Sequence, residues 1–196
     1  IQSISDTISS RFIPLLDTVQ SGVEPKTEIF MGIARLLDPI NGKQIVGGLP
    51  DEEATTARLL RNPNDFAAVL RPLYGPAIAA KFAELLLSHL TIAAELVKAL
   101  KAGNSAAAED ARKRWFMNAD DIAKFLGQIN PYWSEAEWRN MLHEHLRLLS
   151  NEVATRIAGN YEENVATSDL VQTQALEMAD VMTRGIAQQF PMVFAV

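Results

Sequence analysis

From Gly75 onward, apolar side chains recur every three or four positions, the spacing of one face of an α-helix. The stripe Ile78, Phe82, Leu85/Leu86, His89, Ile92/Ala93, Leu96 and Leu100 predicts a helix that opens at Gly75-Pro76 and runs to Lys101. Proline suits a first helical turn, where its missing N–H costs nothing. Gly103-Asn104 stops this helix and starts the next, from about Ser105 to Ile129, with Ala108, Ala111, Trp115, Asn118, Ile122, Phe125 and Ile129 on one seam. Asn130-Pro131 ends it, because a residue before proline is driven out of the helical region. Ser134 and Glu137 form a capping box for a third helix, whose stripe is Trp138, Met141/Leu142, His145, Leu149, Glu152 and Arg156. After Gly159-Asn160 a fourth helix runs until just before Pro191, its stripe read as Val165, Ser168, Gln172, Ala175, Ala179, Met182, Ile186 and Phe190. Each helix is roughly 25–30 residues, or about 40 Å at 1.5 Å per residue. Short connections make neighbours antiparallel, so the expected fold is all-α: an up-down-up-down antiparallel four-helix bundle.

The chain before Gly75 breaks this rhythm. Pro14, Gly22, Pro25, Gly32, Pro39, Gly42, Gly47, Gly48 and Pro50 forbid long helices. The pattern predicts helices near Ser3–Gln20 (bent at Pro14) and Lys26–Leu37, an irregular stretch over Asp38–Pro50, and short helices at about Asp51–Arg61 and Asn64–Arg71. These elements are expected to pack against the four long helices of 76–190, making 1–196 one helical domain. No internal repeat at a fixed period stands out.

Composition narrows the chemistry. The chain has 196 residues and no cysteine, which excludes disulfides, zinc–thiolate sites, iron–sulfur clusters and thiol nucleophiles. A net charge of −6 argues against a nucleic-acid surface. No apolar run long enough to span a bilayer is evident, so no transmembrane segment is expected. The chain opens at Ile1 rather than Met, which leaves a removed signal peptide open; the default expectation is cytoplasmic. There is no Gly-x-x-x-x-Gly-Lys phosphate loop, no Gly-x-Ser-x-Gly elbow and no Glu-x-x-His di-iron motif, and His143-Glu144-His145 is not a zincin pattern. No catalytic residue is therefore assigned.

What remains is a set of polar residues on apolar stripes. His89 lies three to four helical turns before the first connection, and Asn118 about as far after it. Asn118 and His145 stand in the same relation to the turn at Pro131, and Gln172 falls within a turn of that height. His89, Asn118, His145 and Gln172 are therefore expected to form a buried polar layer that fixes helix register. The rival reading is a metal or small-ligand pocket. His89, His145, Glu152 and Asp121 are its candidate ligands, and a divalent or iron-type metal ion is the one cofactor the chain could call for. His143 points away from this side and is expected to be solvated.

Several stretches carry a resemblance. Arg58 to Phe66 (Arg-Leu-Leu-Arg-Asn-Pro-Asn-Asp-Phe), Leu73-Tyr74-Gly75, Asn118 to Ala123, Ile129 to Ser134 and Ala175 to Asp180 resemble an uncharacterised family of small bacterial all-helical proteins. The likeness spans about Asp51 to Pro191. Some members carry an acetylglutamate kinase label, but such a kinase needs an α/β sheet and glycine-rich phosphate loops, and neither pattern is present here. Members open with a helix bearing Leu-Trp-x-x-His, whereas this chain has no Trp or His before Tyr74. A site built on that histidine would here be rebuilt or incomplete. The resemblance implies no established activity. The expected function is a non-catalytic structural or interaction module, with a homo-oligomeric or protein partner; the alternative is a metal-binding or small-ligand-binding bundle.

Overall fold

The computed structural model describes residues 52–194, and among them every regular element is helical. α1 is Glu52–Leu59, α2 Asn62–Lys101, α3 Ser105–Ile129, α4 Glu135–Ala158, α5 Tyr161–Gln189 and α6 Pro191–Phe194. The readings for Ser3–Gln20, Lys26–Leu37 and Asp38–Pro50 lie outside the described residues. The all-α bundle of four long antiparallel helices is present. The short helix expected at Asn64–Arg71 is joined to the long one as a single element, α2, kinked where Gly75 (φ 80°, ψ 169°) leaves helical geometry between Pro72 and Pro76.

The helix ends follow from local chemistry. Asn104 caps α3 by accepting from Ala107 N–H at 3.1 Å, and Ser134 caps α4 by accepting from Glu137 N–H at 3.3 Å. α2 and α4 end alike, with a glycine in the left-handed region: Gly103 at φ 67° and Gly159 at φ 77°. In each turn the glycine N–H bonds three positions back (Leu100 O, Arg156 O) and the following asparagine N–H five back (Ala99 O, Thr155 O). This double bond satisfies carbonyls the helix would otherwise strand, and a side chain at the glycine would be strained.

These two turns correct the expectation of no internal repeat. Gly103-Asn104 recurs as Gly159-Asn160, and the offset between those turns also relates Leu86 to Leu142, His89 to His145, Leu90 to Leu146, Val97 to Val153, Ala119 to Ala175 and Ala123 to Ala179. The bundle is thus two helical hairpins of one design, α2–α3 and α4–α5. The repeat hides in the sequence because identity survives only at caps and at a few inward positions.

Close backbone packing runs from α2 to α3, α3 to α4 and α4 to α5. At the Pro131 end, α2 is tied to α5 through Tyr74: its hydroxyl donates to Gln189 Oε1 (2.8 Å) and accepts from Asn130 Nδ2 (3.0 Å), and its ring meets Phe190 edge-on at 5.1 Å. Burial pushes the Tyr74 phenol up to about 12, so it stays a neutral donor. Trp133 plugs the same end, donating to Val181 O and lying against Gly185. One sequence expectation changes here: the stretch Thr56–Lys101 is, by length and composition alone, long and apolar enough to cross a membrane. In this fold most of its most apolar window is not buried, although Phe82, His89 and Leu96 are packed against the bundle.

Candidate functional site

The inward faces of all four long helices do not meet completely. They leave a partly open cavity of about 220 Å³. Its wall is overwhelmingly apolar, with Phe82, Leu86, Trp115, Ile122, Trp138, Leu142, Met178 and Met182 among its members. The polar side chains on it are His89, His145, Ser150 and Glu152.

Each imidazole is held by the same device. His89 Nδ1 lies 2.7 Å from Asn118 Oδ1, and Asn118 Nδ2 donates to Leu85 O at 3.1 Å. His145 Nδ1 lies 2.8 Å from Gln174 Oε1, and Gln174 Nε2 donates to Met141 O at 2.9 Å. In both, the amide N–H₂ is committed to the carbonyl one helical turn before the histidine. The amide oxygen therefore faces the ring, and since it can only accept, Nδ1 carries the proton. The remaining nitrogen, Nε2, is then a bare acceptor. Neither Nε2 has a partner, neither is among the sealed, unpaired polar atoms of the described residues, and both rings line the cavity.

Electrostatics keep both rings neutral. Burial lowers His89 from 6.5 to about 4; the bond to Asn118 works against this, and the proximity of His145 adds to it. Burial lowers His145 likewise to about 4, opposed by its bond to Gln174. His89 thus lies within electrostatic reach of His145. At neutral pH the two imidazoles are uncharged, on a mainly apolar wall that also carries Ser150 and Glu152.

The sequence candidates fall as follows. His89 and Asn118 are bonded to each other and buried. His145 is bonded to Gln174, not to Gln172, which is only half-buried. Of the stripe read for α5, Ser168, Ala175, Ala179, Met182 and Ile186 are buried, whereas Val165 is exposed and Gln172 half-buried; the buried face also takes in Asn164, Thr167, Val171, Gln174 and Met178. Glu152 is buried on the cavity wall, where its carboxylate accepts from Ser168 Oγ–H; Asn164 and Thr155 pack a further hydrogen-bonded group beside it. Asp121 is exposed and does not line the cavity. Among the described residues no three His, Asp or Glu side chains stand close enough to hold one ion, so the set His89, His145, Glu152 and Asp121 is not assembled as a metal centre. His143 is partly buried rather than simply solvated, its Nε2 2.8 Å from Asp120 and its ring edge-on to Phe116 at 4.9 Å.

One member of the site escapes the helical pattern: Gln174, which the offset between the hairpins, applied to Asn118, would find. Trp115, on the seam read for α3, stands beside His89 with ring centroids 5.4 Å apart. Trp115 and Trp138 each bury an indole N–H with no acceptor. Set against known proteins, the chain matches no family model, no curated protein and no solved structure.

Proposed function

We propose that this bundle is a receptor for a small, mainly apolar, uncharged molecule that carries a hydrogen-bond donor. The observation that supports it most is the pair of neutral imidazoles on the wall of a mainly apolar cavity, their Nδ1–H groups tied up and their Nε2 lone pairs without a partner. A cavity of about 150 Å³ holds benzene; one of about 220 Å³ suits a molecule of about six to eight carbons. Apolar burial at about 0.8 kcal/mol per methylene favours such a guest by about 5 kcal/mol before association costs. A donor on the guest then satisfies an otherwise unpartnered acceptor. A cation would lose its hydration in the same place, and an anion would meet two imidazole acceptors and the Glu152 carboxylate.

The competing readings are a purely register-setting polar layer and a metal held by the imidazoles. Calorimetric titration of the full chain with hexan-1-ol separates them. Saturable binding with a Kd of about 0.1–1 mM, lost when Ala93 at the wall is enlarged (Ala93→Trp) in a variant with unchanged helicity, supports the receptor reading. Absence of binding to the folded wild type overturns it. So does about one metal ion per purified chain, lost in both His89→Ala and His145→Ala.

A further inference from the structure

The clamp occurs twice, and both copies serve the same void. His89, Asn118 and Leu85 O on the first hairpin are repeated by His145, Gln174 and Met141 O on the second, at one sequence offset and with matching bond lengths. The surrounding wall is repeated only in part: Leu86 and Val97 recur as Leu142 and Val153, but Phe82 stands where the second hairpin has Trp138, and Trp115 where it has Val171. Two acceptors kept alike within walls that differ are a feature for a ligand to match at two points. A guest with one donor satisfies one lone pair and leaves the other facing apolar surface, which is costly for a buried polar atom.

Resting on the receptor reading above, we infer that the ligand class is a short diol or diphenol, with one hydroxyl held on His89 Nε2 and the other on His145 Nε2. Hydroxyl suits this role better than ammonium, because it donates without bringing a charge into the cavity.

The test is a comparison of α,ω-alkanediols of four to eight carbons with the 1-alkanols of the same length, titrated calorimetrically into the full chain. In a merely apolar cavity the second hydroxyl must weaken binding, because it is drawn out of water without a partner. The expected result is the reverse: at one chain length the diol binds about tenfold more tightly than its mono-ol. Two paired variants locate the cause. His89→Leu with Asn118→Leu, and His145→Leu with Gln174→Leu, each remove donor and acceptor together, so that no buried polar atom is stranded and the fold survives. Each should erase the diol's advantage, so that diol and 1-alkanol of that length bind within about threefold of each other. If the mono-ol binds more tightly at every length, or the diol's advantage survives either paired variant, the two-point inference is overturned while the receptor reading stands. If neither series binds the folded protein, the receptor reading itself fails and takes this inference with it.

Discussion

The two hairpins share a centre and differ at their ends. In both, an imidazole is fixed by an amide that is itself fixed by the carbonyl one turn before the imidazole, and in both a left-handed glycine closes the turn. Towards that turn they part. The first hairpin is apolar there, with Leu96, Ala108 and Ala111 buried. At the matching places the second has Glu152, Asn164 and Thr167, also buried, with Glu152 bonded to Ser168 and Asn164 to the Glu152 carbonyl. Each clamp ties one pair of helices, α2 to α3 and α4 to α5, so setting register accounts for both copies as well as a shared ligand does. What the two copies share beyond their own pairs is that both rings line the cavity.

The sharpest way to break the comparison is acid. Both imidazoles titrate at about 4 in the fold, against 6.5 for an unburied ring. Between those values the unfolded chain binds the protons and the native chain does not. Stability therefore falls as pH drops from about 6.5 to about 4 and levels below that. A shift of this size is worth about 3 kcal/mol per ring. Urea unfolding at stepped pH should show a combined loss of about 6 kcal/mol in the wild type. Each paired His/amide variant should show about half that slope. Unequal halves would mean that the two clamps are not equivalent environments.

A second break comes from the places where the hairpins were built differently to meet each other. Ile129 of α3 corresponds to Gly185 of α5. The glycine is there because Trp133 lies on it: a Cβ at 185 would fall inside the indole, which donates to Val181 O. Gly185→Ala must displace a buried tryptophan, and overpacking of this kind costs about 1–3 kcal/mol, with the bond to Val181 lost as well. Thermal unfolding should register a drop of several degrees. A wild-type melting temperature in Gly185→Ala would show that the Trp133 plug is not needed to close that end.

Within the centre, truncating the amides tests the likeness directly. Asn118→Ala and Gln174→Ala each strand an imidazole N–H in a dry site, at about 1–3 kcal/mol. The two losses should agree within about 0.5 kcal/mol in denaturant melts, since the bonds removed are of one kind. Each change also frees the ring to turn, so 1-alkanol affinity should fall in both. A large loss at Asn118 with none at Gln174 would reduce the second clamp to a surface contact.

How much of this is legible in the sequence depends on what kind of fact each piece is. The helices and their ends are local: Asn104, Ser134, Gly103 and Gly159 carry their own cap chemistry, and Pro131 ends α3 by sterics alone. The height of His89, Asn118 and His145 can be counted from those turns, because antiparallel rods joined by tight loops advance equally on both sides. Gln174 escapes because the stripe counted from the exposed Val165 takes in Gln172 instead. The repeat escapes because Leu96, Ala108 and Trp115 share no chemistry with Glu152, Asn164 and Val171. The cavity is not legible at all: it lies where side chains of four helices fail to reach, and no single stripe records a gap.

The smallest expected difference lies at the two turns, where the hairpins look most alike. Asn104 and Asn160 occupy the same place after the same left-handed glycine, and both are exposed. Only Asn104 uses its side chain, accepting from Ala107 N–H; Asn160 makes no such bond at the start of α5. Asparagine at an N-cap is worth about 1 kcal/mol over alanine when its oxygen takes an otherwise orphaned N–H, and little when it does not. Asn104→Ala should therefore lower stability by about 1 kcal/mol and Asn160→Ala by less than about 0.3 kcal/mol in urea melts at neutral pH, clear of the histidine titration. The contrast carries a further reading at the first residues of each helix. Hydrogen exchange at Ala107 N–H should quicken in Asn104→Ala, whereas exchange at the start of α5 should not change in Asn160→Ala. Equal losses at both turns would mean that Asn160 caps α5 in solution, and that the hairpins are as alike at this end as at their centre.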